Sequence, residues 1–401
     1  MNLSSGSSTP SSSSPLSSYG WDEGFVESFV PYVGQGYVPG RIVRVDRGRV
    51  DVVVPDGEGI RTVLADTALV ATSDPMRVPC TGDWAVIDLE NGRAGDHIDG
   101  VVRALLPRRT AFVRSTSSKR SEGQVLATNI DTIVICVSLA EQLDLGRIER
   151  FLALAMSSST GEGRGHGSAL SWESGAQPLV VLTKADLVAD PVALGHLVED
   201  VSAAAPGVQV LAVSAATGDG LDTLTAVSAG ATSVLLGRSG AGKSTLANAL
   251  VGADVQDVRA VRDQDGKGRH TTTTRDLLVL PGGGVLIDTP GLRGVGMWDA
   301  AGGLARTFSD VDELARQCRF QDCAHDAEPG CAVQDAVENG ELALRRLESY
   351  RKLRRENQRI VAKTDARLRA AIRRDWKQKQ ALGRHMRERK GGQDVEWRSG
   401  R

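Results

Sequence analysis

Short runs of alternating hydrophobic and polar residues dominate the chain between residues 36 and 107. Residues 41–55, 62–71 and 83–92 are such runs, and glycine-containing turns separate them. About five short strands within about 70 residues are typical of a small closed barrel of the OB-fold type. We therefore predict an OB-fold β-barrel over residues 36–107. Such barrels often bind RNA, although the fold alone does not establish that function.

Uniformly apolar runs alternate with helical patterns from about residue 108 onward. The runs that fit buried strands are residues 129–139, 178–187, 208–215, 232–237 and 283–291. Residues 146–156 instead repeat their apolar positions with the period of a helix. Strands alternating with helices predict a doubly wound α/β domain with a parallel sheet, which we place at residues 108–300.

Three segments depart from these patterns. Residues 1–18 contain ten serines and have no hydrophobic period, so we predict a disordered N-terminal extension over residues 1–35. Residues 157–171 are rich in glycine and serine and are predicted to form a surface insertion. After residue 341 a basic, helix-forming stretch continues to about residue 391, and we predict a basic helical tail at residues 366–401.

Composition places the chain among multidomain proteins of ordinary amino-acid usage. Its 401 residues are 41% hydrophobic and 24% charged, which excludes collagen-like and wholly disordered proteins. No apolar run approaches the ~18 residues of a membrane span, so we predict no membrane association. Five cysteines without a secretory signal favour a reducing compartment, and we predict a cytoplasmic protein.

Charge is distributed unevenly, although the formal net charge is only −2. Residues 341–401 contain 20 Lys or Arg and 8 Asp or Glu. Such a basic end either contacts RNA phosphates, which we favour, or is a solvated helix face. The residues that carry this prediction include Arg345, Arg346, Arg351, Lys352, Arg354, Arg355, Arg373, Arg374, Lys377 and Lys379.

The strongest motif is GRSGAGKST at residues 237–245, which follows a predicted strand and begins a predicted helix. It matches the pattern GxxxxGK[ST], whose backbone N–H groups surround phosphates while its lysine contacts the β- and γ-phosphates. The predicted phosphate-binding residues are Gly237, Arg238, Ser239, Gly240, Ala241, Gly242, Lys243, Ser244 and Thr245.

The sequence TKAD at residues 183–186 predicts which base the bound nucleotide carries. An aspartate accepts hydrogen bonds from guanine N1–H and its exocyclic amine, whereas adenine has no donors at these positions. This disfavours an ATP-dependent enzyme. The chain has Thr183 where such motifs usually have asparagine, so we expect modest affinity. The predicted guanine contacts are Thr183, Lys184, Ala185, Asp186, Ser214 and Ala215.

The sequence DTPG at residues 288–291 follows another predicted strand. Asp288 is predicted to hold Mg²⁺ through water and Gly291 to contact the γ-phosphate. Ser244 is the predicted direct Mg²⁺ ligand, and a second comes from the loop 268–275, where either Thr272 or Thr273 could serve. The motif order is circularly permuted, because TKAD precedes the phosphate loop and DTPG comes last.

Four potential metal ligands lie within fourteen residues: Cys318, Cys323, His325 and Cys331. Three thiolates and one imidazole form a complete tetrahedral set, which predicts one structural Zn²⁺ rather than a catalytic one. The alternative is a group of buried thiols beside a histidine. Cys80 and Cys136 lie in apolar runs and are predicted to be buried thiols.

Together these motifs resemble the RsgA family, also called YjeQ. The resemblance covers about residues 36–365 and includes GDWAVID, LPRRTAFVR, QVLATNID and CRFQDCAHDAEPGCAV besides the motifs above. It implies an OB-fold, a permuted GTPase domain and a zinc-binding helical domain, here residues 301–365. It also implies a monomer that binds GTP and GDP, contacts 16S rRNA, and assists late maturation of the 30S ribosomal subunit, which stimulates its GTP hydrolysis.

The catalytic residues are less clearly marked. Lys243 is one, and Leu292 stands where many GTPases place a glutamine that orients water. His270 could orient water instead, or be an exposed loop residue or an rRNA contact. The alternative function is an RNA-binding scaffold that uses GTP as a structural ligand without significant turnover.

Overall fold

The computed structural model describes residues 14–91, 98–115, 123–157, 175–252, 275–289, 300–326 and 328–364. The predictions for residues 1–13, for the insertion from residue 158 onward and for the tail 366–401 lie outside these ranges. The division of the chain into domains at the stated boundaries stays a prediction. No helix in the described part of the chain is both long and apolar enough to cross a membrane.

The first five strands form a closed barrel, as predicted. They are β1 (Val38–Asp46), β2 (Arg49–Asp56), β3 (Gly59–Asp66), β4 (Trp84–Asp88) and β5 (Gly100–Leu105). The strands neighbour one another in the order β1-β2-β3-β5-β4, and β1 pairs with β4 to close the barrel. Alternate residues such as Val50, Val52 and Val54 point inward and are fully buried.

The prediction of disorder over residues 1–35 is wrong for the part that the structure describes. Short 3₁₀ helices at Ser17–Tyr19 and Val30–Tyr32 flank helix α1 (Glu23–Phe29). Asp22 caps α1 by accepting from the backbone N–H groups of Gly24 and Phe25. Burial of aromatic side chains explains the order, because Trp21 stacks on Phe25 and meets Trp84 of the barrel edge-on.

A two-stranded antiparallel hairpin, absent from our predictions, follows the barrel. It consists of β6 (Ala111–Ser115) and β7 (Gly123–Thr128). Its strands are short, and polar residues connect them in the sequence, so the hydrophobic pattern is weak. Phe112 and Leu126 are nevertheless fully buried and join the main core.

A six-stranded sheet forms the centre of the protein, as the alternating pattern predicted. Its strands are β8 (Thr132–Ser138), β9 (Gln177–Thr183), β10 (Gln209–Val213), β11 (Thr232–Leu236), β12 (Asp276–Val279) and β13 (Val285–Asp288). The spatial order is β10-β9-β8-β11-β13-β12. The prediction of a wholly parallel sheet needs one correction, because the edge strand β12 runs antiparallel to β13.

Four helices accompany this sheet within the described residues. They are α2 (Leu145–Met156), α3 (Pro191–Ala204), α4 (Leu221–Ser228) and α5 (Lys243–Val251). The parallel strands β8, β9, β10, β11 and β13 end at the same edge of the sheet. The loops that follow these strands therefore meet at that edge, where ligands bind in sheets of this class.

The C-terminal part of the described chain is helical, as predicted. Helices α6 (Ala301–Thr307), α7 (Ser309–Ala315) and α8 (Ala332–Glu338) precede the long helix α9 (Leu344–Thr364). Helix α9 packs against α2 of the central domain through Arg346, which is 4% exposed and bonds to the buried carboxylate of Glu149. The prediction that Arg346 contacts RNA is therefore wrong, since its charge is used inside the protein.

Candidate nucleotide site and metal-binding cluster

The glycine-rich loop at residues 237–242 connects β11 to α5 and passes very close to the neighbouring strand. A Cβ atom on Gly237 would lie 2.6 Å from the carbonyl oxygen of Cys136 in β8, so a larger residue does not fit there. Gly240 and Gly242 have φ angles of 84° and 78°, in the left-handed region that glycine tolerates. These features turn the loop tightly from the end of β11 into the start of α5, and a helix start of this kind favours anions.

Lys243, the first residue of α5, lies folded beneath this loop. Its Nζ atom donates hydrogen bonds to the carbonyl oxygens of Gly237, at 2.9 Å, and Arg238, at 2.7 Å. Burial lowers the pKa of its ammonium group. Arg238 points away from the lysine and pairs with Glu141, at 2.9 Å. Ser239, Ala241, Ser244 and Thr245 complete the segment, and Ser244 and Thr245 are exposed at the start of α5.

The TKAD segment lies directly against the glycine-rich loop. Thr183 ends β9, and its hydroxyl donates to the carbonyl oxygen of Ala241 at 2.8 Å. The Nζ atom of Lys184 donates to the carbonyl oxygen of Gly240 at 3.0 Å. Lys184 has a φ angle of 59°, which turns the chain sharply after the strand. Two motifs more than fifty residues apart in sequence are thus joined in space.

Asp186 is held in one orientation by Ser214, which follows β10. The buried Ser214 hydroxyl donates to Asp186 Oδ1 at 2.6 Å, and its oxygen accepts from the N–H groups of Ala216 and Thr217. Ser214 and Ala215 were predicted to contact guanine, but this side-chain bond to Asp186 was not predicted. The available signal was a small polar residue directly after the apolar run of β10.

A pocket of about 240 Å³ opens between the two motifs. Its walls include Thr183, Lys184, Asp186, Ala215, Gly242 and Thr245. Ala185 lies behind Asp186 in the short 3₁₀ helix Ala185–Leu187 and is buried. The pocket therefore places a carboxylate opposite the end of the glycine-rich loop and the first turn of α5.

Asp288 ends β13, the strand beside β11. The two strands pair in register with Val234 opposite Ile287, so Asp288 lies next to the beginning of the glycine-rich loop. The hydroxyl of Thr289 donates to the carbonyl oxygen of Leu235 and fixes the chain at this point. His270, Thr272, Thr273 and Gly291, which the sequence analysis also assigned to this end of the site, lie outside the described residues.

The four predicted zinc ligands come together between α7 and α8. One donor atom from each of Cys318, Cys323, His325 and Cys331 lies within 4.8 Å of the others. His325 directs Nδ1 at the thiols, 3.6 Å from Cys318 Sγ and 3.5 Å from Cys331 Sγ. A left-handed backbone at His325, with φ of 61°, makes this approach possible.

Hydrogen bonds hold the loop that carries these ligands. The N–H of Arg319 donates to the carbonyl oxygen of Gly330 at 3.0 Å, and Gln334 donates to that of His325 at 2.6 Å. Burial raises the pKa of the Cys323 thiol, so its thiolate form needs a cation beside it. Three sulfurs and one imidazole nitrogen in this arrangement form a metal-binding cluster.

The remaining two cysteines, Cys80 and Cys136, are buried as predicted. Burial raises the pKa of each thiol to about 12, which keeps both protonated at neutral pH.

Comparison with known proteins gives a consistent result. A family model described as RsgA GTPase matches residues 169–298. The small ribosomal subunit biogenesis GTPase RsgA of Streptomyces avermitilis is 63% identical over 383 residues, which are 96% of each chain. The protein of that name from Opitutus terrae is 40% identical over 380 residues, covering 93% of this chain and 98% of the relative.

Solved structures share the fold. The crystal structure of YjeQ from Thermotoga maritima matches with a TM-score of 0.55 and 25% identity, covering 80% of this chain and 98% of that one. YloQ, described as a circularly permuted GTPase, matches with a TM-score of 0.55 at 22% identity, which bears on the fold alone. The permuted motif order and the identity along nearly the whole chain agree, and this chain belongs to the RsgA family of GTPases.

Proposed function

We propose that this GTPase holds one guanosine nucleotide between the TKAD segment and the glycine-rich loop. The observation that carries the proposal is the direct contact of the two motifs, Lys184 with Gly240 and Thr183 with Ala241. A single nucleotide can therefore span from the Asp186 carboxylate to the loop above Lys243. The proposed GTP contacts are Thr183, Lys184, Ala185, Asp186, Ser214, Ala215, Gly237, Arg238, Ser239, Gly240, Ala241, Gly242, Lys243, Ser244, Thr245, Asp288 and Gly291.

Asp186 selects guanine in this proposal. Its carboxylate accepts from N1–H and the exocyclic amine, and Ser214 keeps the carboxylate turned toward the pocket. An adenine there would leave a carboxylate without donors, which costs about 1–3 kcal/mol. The Thr183 hydroxyl connects the base pocket to the loop by its bond to the Ala241 carbonyl oxygen. The expectation of modest nucleotide affinity, which was based on threonine in place of asparagine, did not include this contact.

Phosphate binding falls to the loop and Lys243. Phosphate oxygens replace the carbonyl groups of Gly237 and Arg238 as acceptors for the lysine Nζ. Ser244, Asp288 through water, and Thr272 or Thr273 are the residues that would hold Mg²⁺, which neutralises charge on the phosphates during hydrolysis. His270 is our candidate for orienting the attacking water.

The proposed partner is the small ribosomal subunit. The relatives at 63% and 40% identity are named for its biogenesis. We propose that this chain, as a cytoplasmic monomer, assists late maturation of the 30S subunit, contacts 16S rRNA and hydrolyses GTP faster when bound to the subunit. The proposed occupant of the metal-binding cluster is one structural Zn²⁺, since all four ligand positions are supplied by the chain.

The decisive experiment measures GTP hydrolysis by the purified protein alone and with 30S, 50S or 70S particles. We expect faster turnover with 30S particles, and Lys243→Ala should abolish turnover because it removes the phosphate contact. Single-turnover measurements separate this function from the scaffold alternative, which predicts GTP binding without hydrolysis in every mixture. Equal turnover with 30S and 50S particles would contradict the proposed partner.

A further inference from the structure

A turn of the barrel, residues Cys80–Asp83, reaches the edge of the GTPase sheet. The hydroxyl of Thr81 donates to the carbonyl oxygen of Arg275 at 3.1 Å. Nearby, Arg44 of β1 places Nε 3.8 Å from Oδ1 of Asp276, whose side chain is almost completely buried. The barrel therefore contacts Asp276, the first residue of β12, by an ion pair, and Arg275 just before it by a hydrogen bond.

The contacted residues lie at the phosphate end of the candidate nucleotide site. Asp276 of β12 is paired directly with Asp288 of β13 in the antiparallel register. Arg275 is the last residue of the sequence GRHTTTTR, which contains the candidate Mg²⁺ ligands Thr272 and Thr273. One point on the sheet edge thus adjoins two segments predicted to contact the γ-phosphate and Mg²⁺. The guanine pocket is formed by β9 and β10 at the opposite side of the sheet.

The barrel turn is rigidly built. Asp83 is fully buried and accepts from the N–H of Cys80 at 2.8 Å and from Arg108 Nε at 2.7 Å. A Cβ on Gly82 would collide with the carbonyl oxygen of Thr128 and would lie 3.2 Å from Cδ1 of Ile287, the residue before Asp288. The turn is therefore closely packed against Ile287 of β13 and is also bonded to Arg275, just before β12.

We propose that Thr81 and Arg44 are positioning residues for GTP hydrolysis. They hold Arg275 and Asp276 where β12 keeps Asp288 aligned beneath the γ-phosphate, although neither of them touches the nucleotide. This inference rests on the proposed nucleotide site. It predicts a selective effect: loss of these contacts impairs recognition of the γ-phosphate and turnover, and it leaves binding of GDP unchanged.

The test compares Thr81→Val, which removes only the hydroxyl donor, with Thr81→Ser, which restores it. Thr62→Val is the matched control, since Thr62 is exposed on β3 of the same barrel. For each full-length variant, kcat and KM of GTP hydrolysis are measured together with Kd for GDP and for a non-hydrolysable GTP analogue. Loss of one hydrogen bond predicts about a fivefold lower kcat and about a fivefold weaker analogue affinity for Thr81→Val. The Kd for GDP should stay within about twofold, because base and diphosphate contacts are untouched.

Three results would overturn the inference. In the first, Thr81→Val has the same kcat and the same ratio of the two Kd values as Thr62→Val. In the second, Thr81→Val binds GDP and the analogue more weakly by the same factor, and in the third, Thr81→Ser does not recover kcat and analogue affinity. If Thr81→Val does not fold, Arg44→Gln is judged by the same criteria against Arg61→Gln, an exposed barrel arginine. A wild-type protein that neither binds nor hydrolyses GTP would instead refute the proposed function. The two failures are therefore distinguishable.

Discussion

The orientation of one carboxylate determines which base the pocket accepts. The Ser214 hydroxyl orients Asp186 by donating to its Oδ1 atom at 2.6 Å. Asp186→Asn therefore changes the donors and acceptors offered to the base while the side chain keeps its position. Since an amide both donates and accepts, the variant should favour xanthosine triphosphate over GTP. We expect GTP affinity to fall by about 5- to 150-fold, which corresponds to about 1–3 kcal/mol. Competition between the two nucleotides in equilibrium binding measures this change.

Asp190→Asn is the matched control for that variant. Asp190 caps α3 by accepting from the N–H of Val192, and asparagine caps equally well. It lies four residues from Asp186 but does not line the pocket. An Asp186→Asn protein that keeps the guanine preference of the control would refute the assignment of the base contact.

At the scale of single residues, the sequence predicts those candidate site residues that belong to a short contiguous motif. The spacing of GRSGAGKST and TKAD was enough to identify Lys243 and Asp186 as candidates. The bonding partners of the Thr183 and Ser214 hydroxyls could not be predicted, because they depend on which strands are neighbours in the folded sheet. The sequence signal at Ser214, a small polar residue after an apolar run, marks the residue but not its partner. The roles of His270, Thr272, Thr273 and Gly291 stay predictions.

Helix α1 lies in a segment that was predicted to be disordered from its composition. Serine and proline dominate the start of the chain, yet Asp22 is followed by Phe25 and Phe29, four residues apart on one face of the helix. A capping residue before such a pair is a helix signal that the predicted disordered segment of residues 1–35 overlooked. The helix is ordered because the barrel supplies the aromatic surface, which includes Trp84, on which it packs.

The attachment of α1 should depend on pH through Asp22. A hydrogen-bonded ion pair with Arg109 holds the pKa of the Asp22 carboxyl below its ordinary value of 3.8. A lowered pKa stabilises the fold above about pH 4, and this contribution disappears as pH falls through the folded-state pKa. Asp22→Asn retains the helix cap but not the charge.

Denaturant unfolding of wild type and Asp22→Asn at a series of pH values checks this prediction. The difference in the free energy of unfolding should be constant from about pH 7 to 5 and should shrink toward zero below about pH 4. A difference that is the same at about pH 7 and below about pH 4 would show that the ion pair does not stabilise the fold.

Helices α2 and α9 are joined by a buried ionic network. Arg346 bonds to Glu149 on α2 and to Asp310 on α7, and its guanidinium lies over the ring of Phe308. Glu149→Gln leaves this buried cation with one carboxylate partner instead of two. We expect a loss of about 2 kcal/mol, less than the ~3–5 kcal/mol for a wholly unpaired charge.

Chemical denaturation without nucleotide measures that loss. The matched control is Glu141→Gln, which breaks the exposed pair between Glu141 and Arg238 and should cost less than about 1 kcal/mol. Equal losses in the two variants would mean that burial of the network has no energetic consequence.

At the scale of the whole molecule, apolar runs alternating with helical patterns predicted the sheet. The motifs predicted its functional edge, because each motif follows a strand. The attachment of the helical C-terminal part could not be predicted. Its basic residues resemble a solvated helix in sequence, and only the fold shows that Glu149 is buried opposite Arg346. The antiparallel β12 was missed for a similar reason, since periodicity does not reveal strand direction.

The metal-binding cluster should contribute to the stability of this C-terminal part. His325 packs 6.3 Å from the ring of Tyr350, which belongs to α9. We expect one zinc per chain by elemental analysis, and we expect Cys331→Ser to lose the zinc and lower the melting temperature. Cys80→Ser, which alters a buried thiol outside the cluster, should retain the zinc. Zinc retained in Cys331→Ser, or lost equally in both variants, would contradict the assignment.

The outward-facing cations of α9 should contribute to the salt dependence of binding to the proposed ribosomal partner. Lys352, Arg355 and Arg359 are exposed, whereas Arg346 is internally paired. Each cation that contacts a phosphate should contribute about 0.7–0.9 to the slope of log affinity against log salt.

Arg355→Gln should reduce the slope for 30S particles by about this amount. Arg147→Gln should leave it unchanged, because Asp144 lies 3.0 Å away and offsets its charge. Identical slopes for wild type and Arg355→Gln would exclude Arg355 from the RNA contact. The outward face of α9 is therefore testable separately from the inner face that packs against α2.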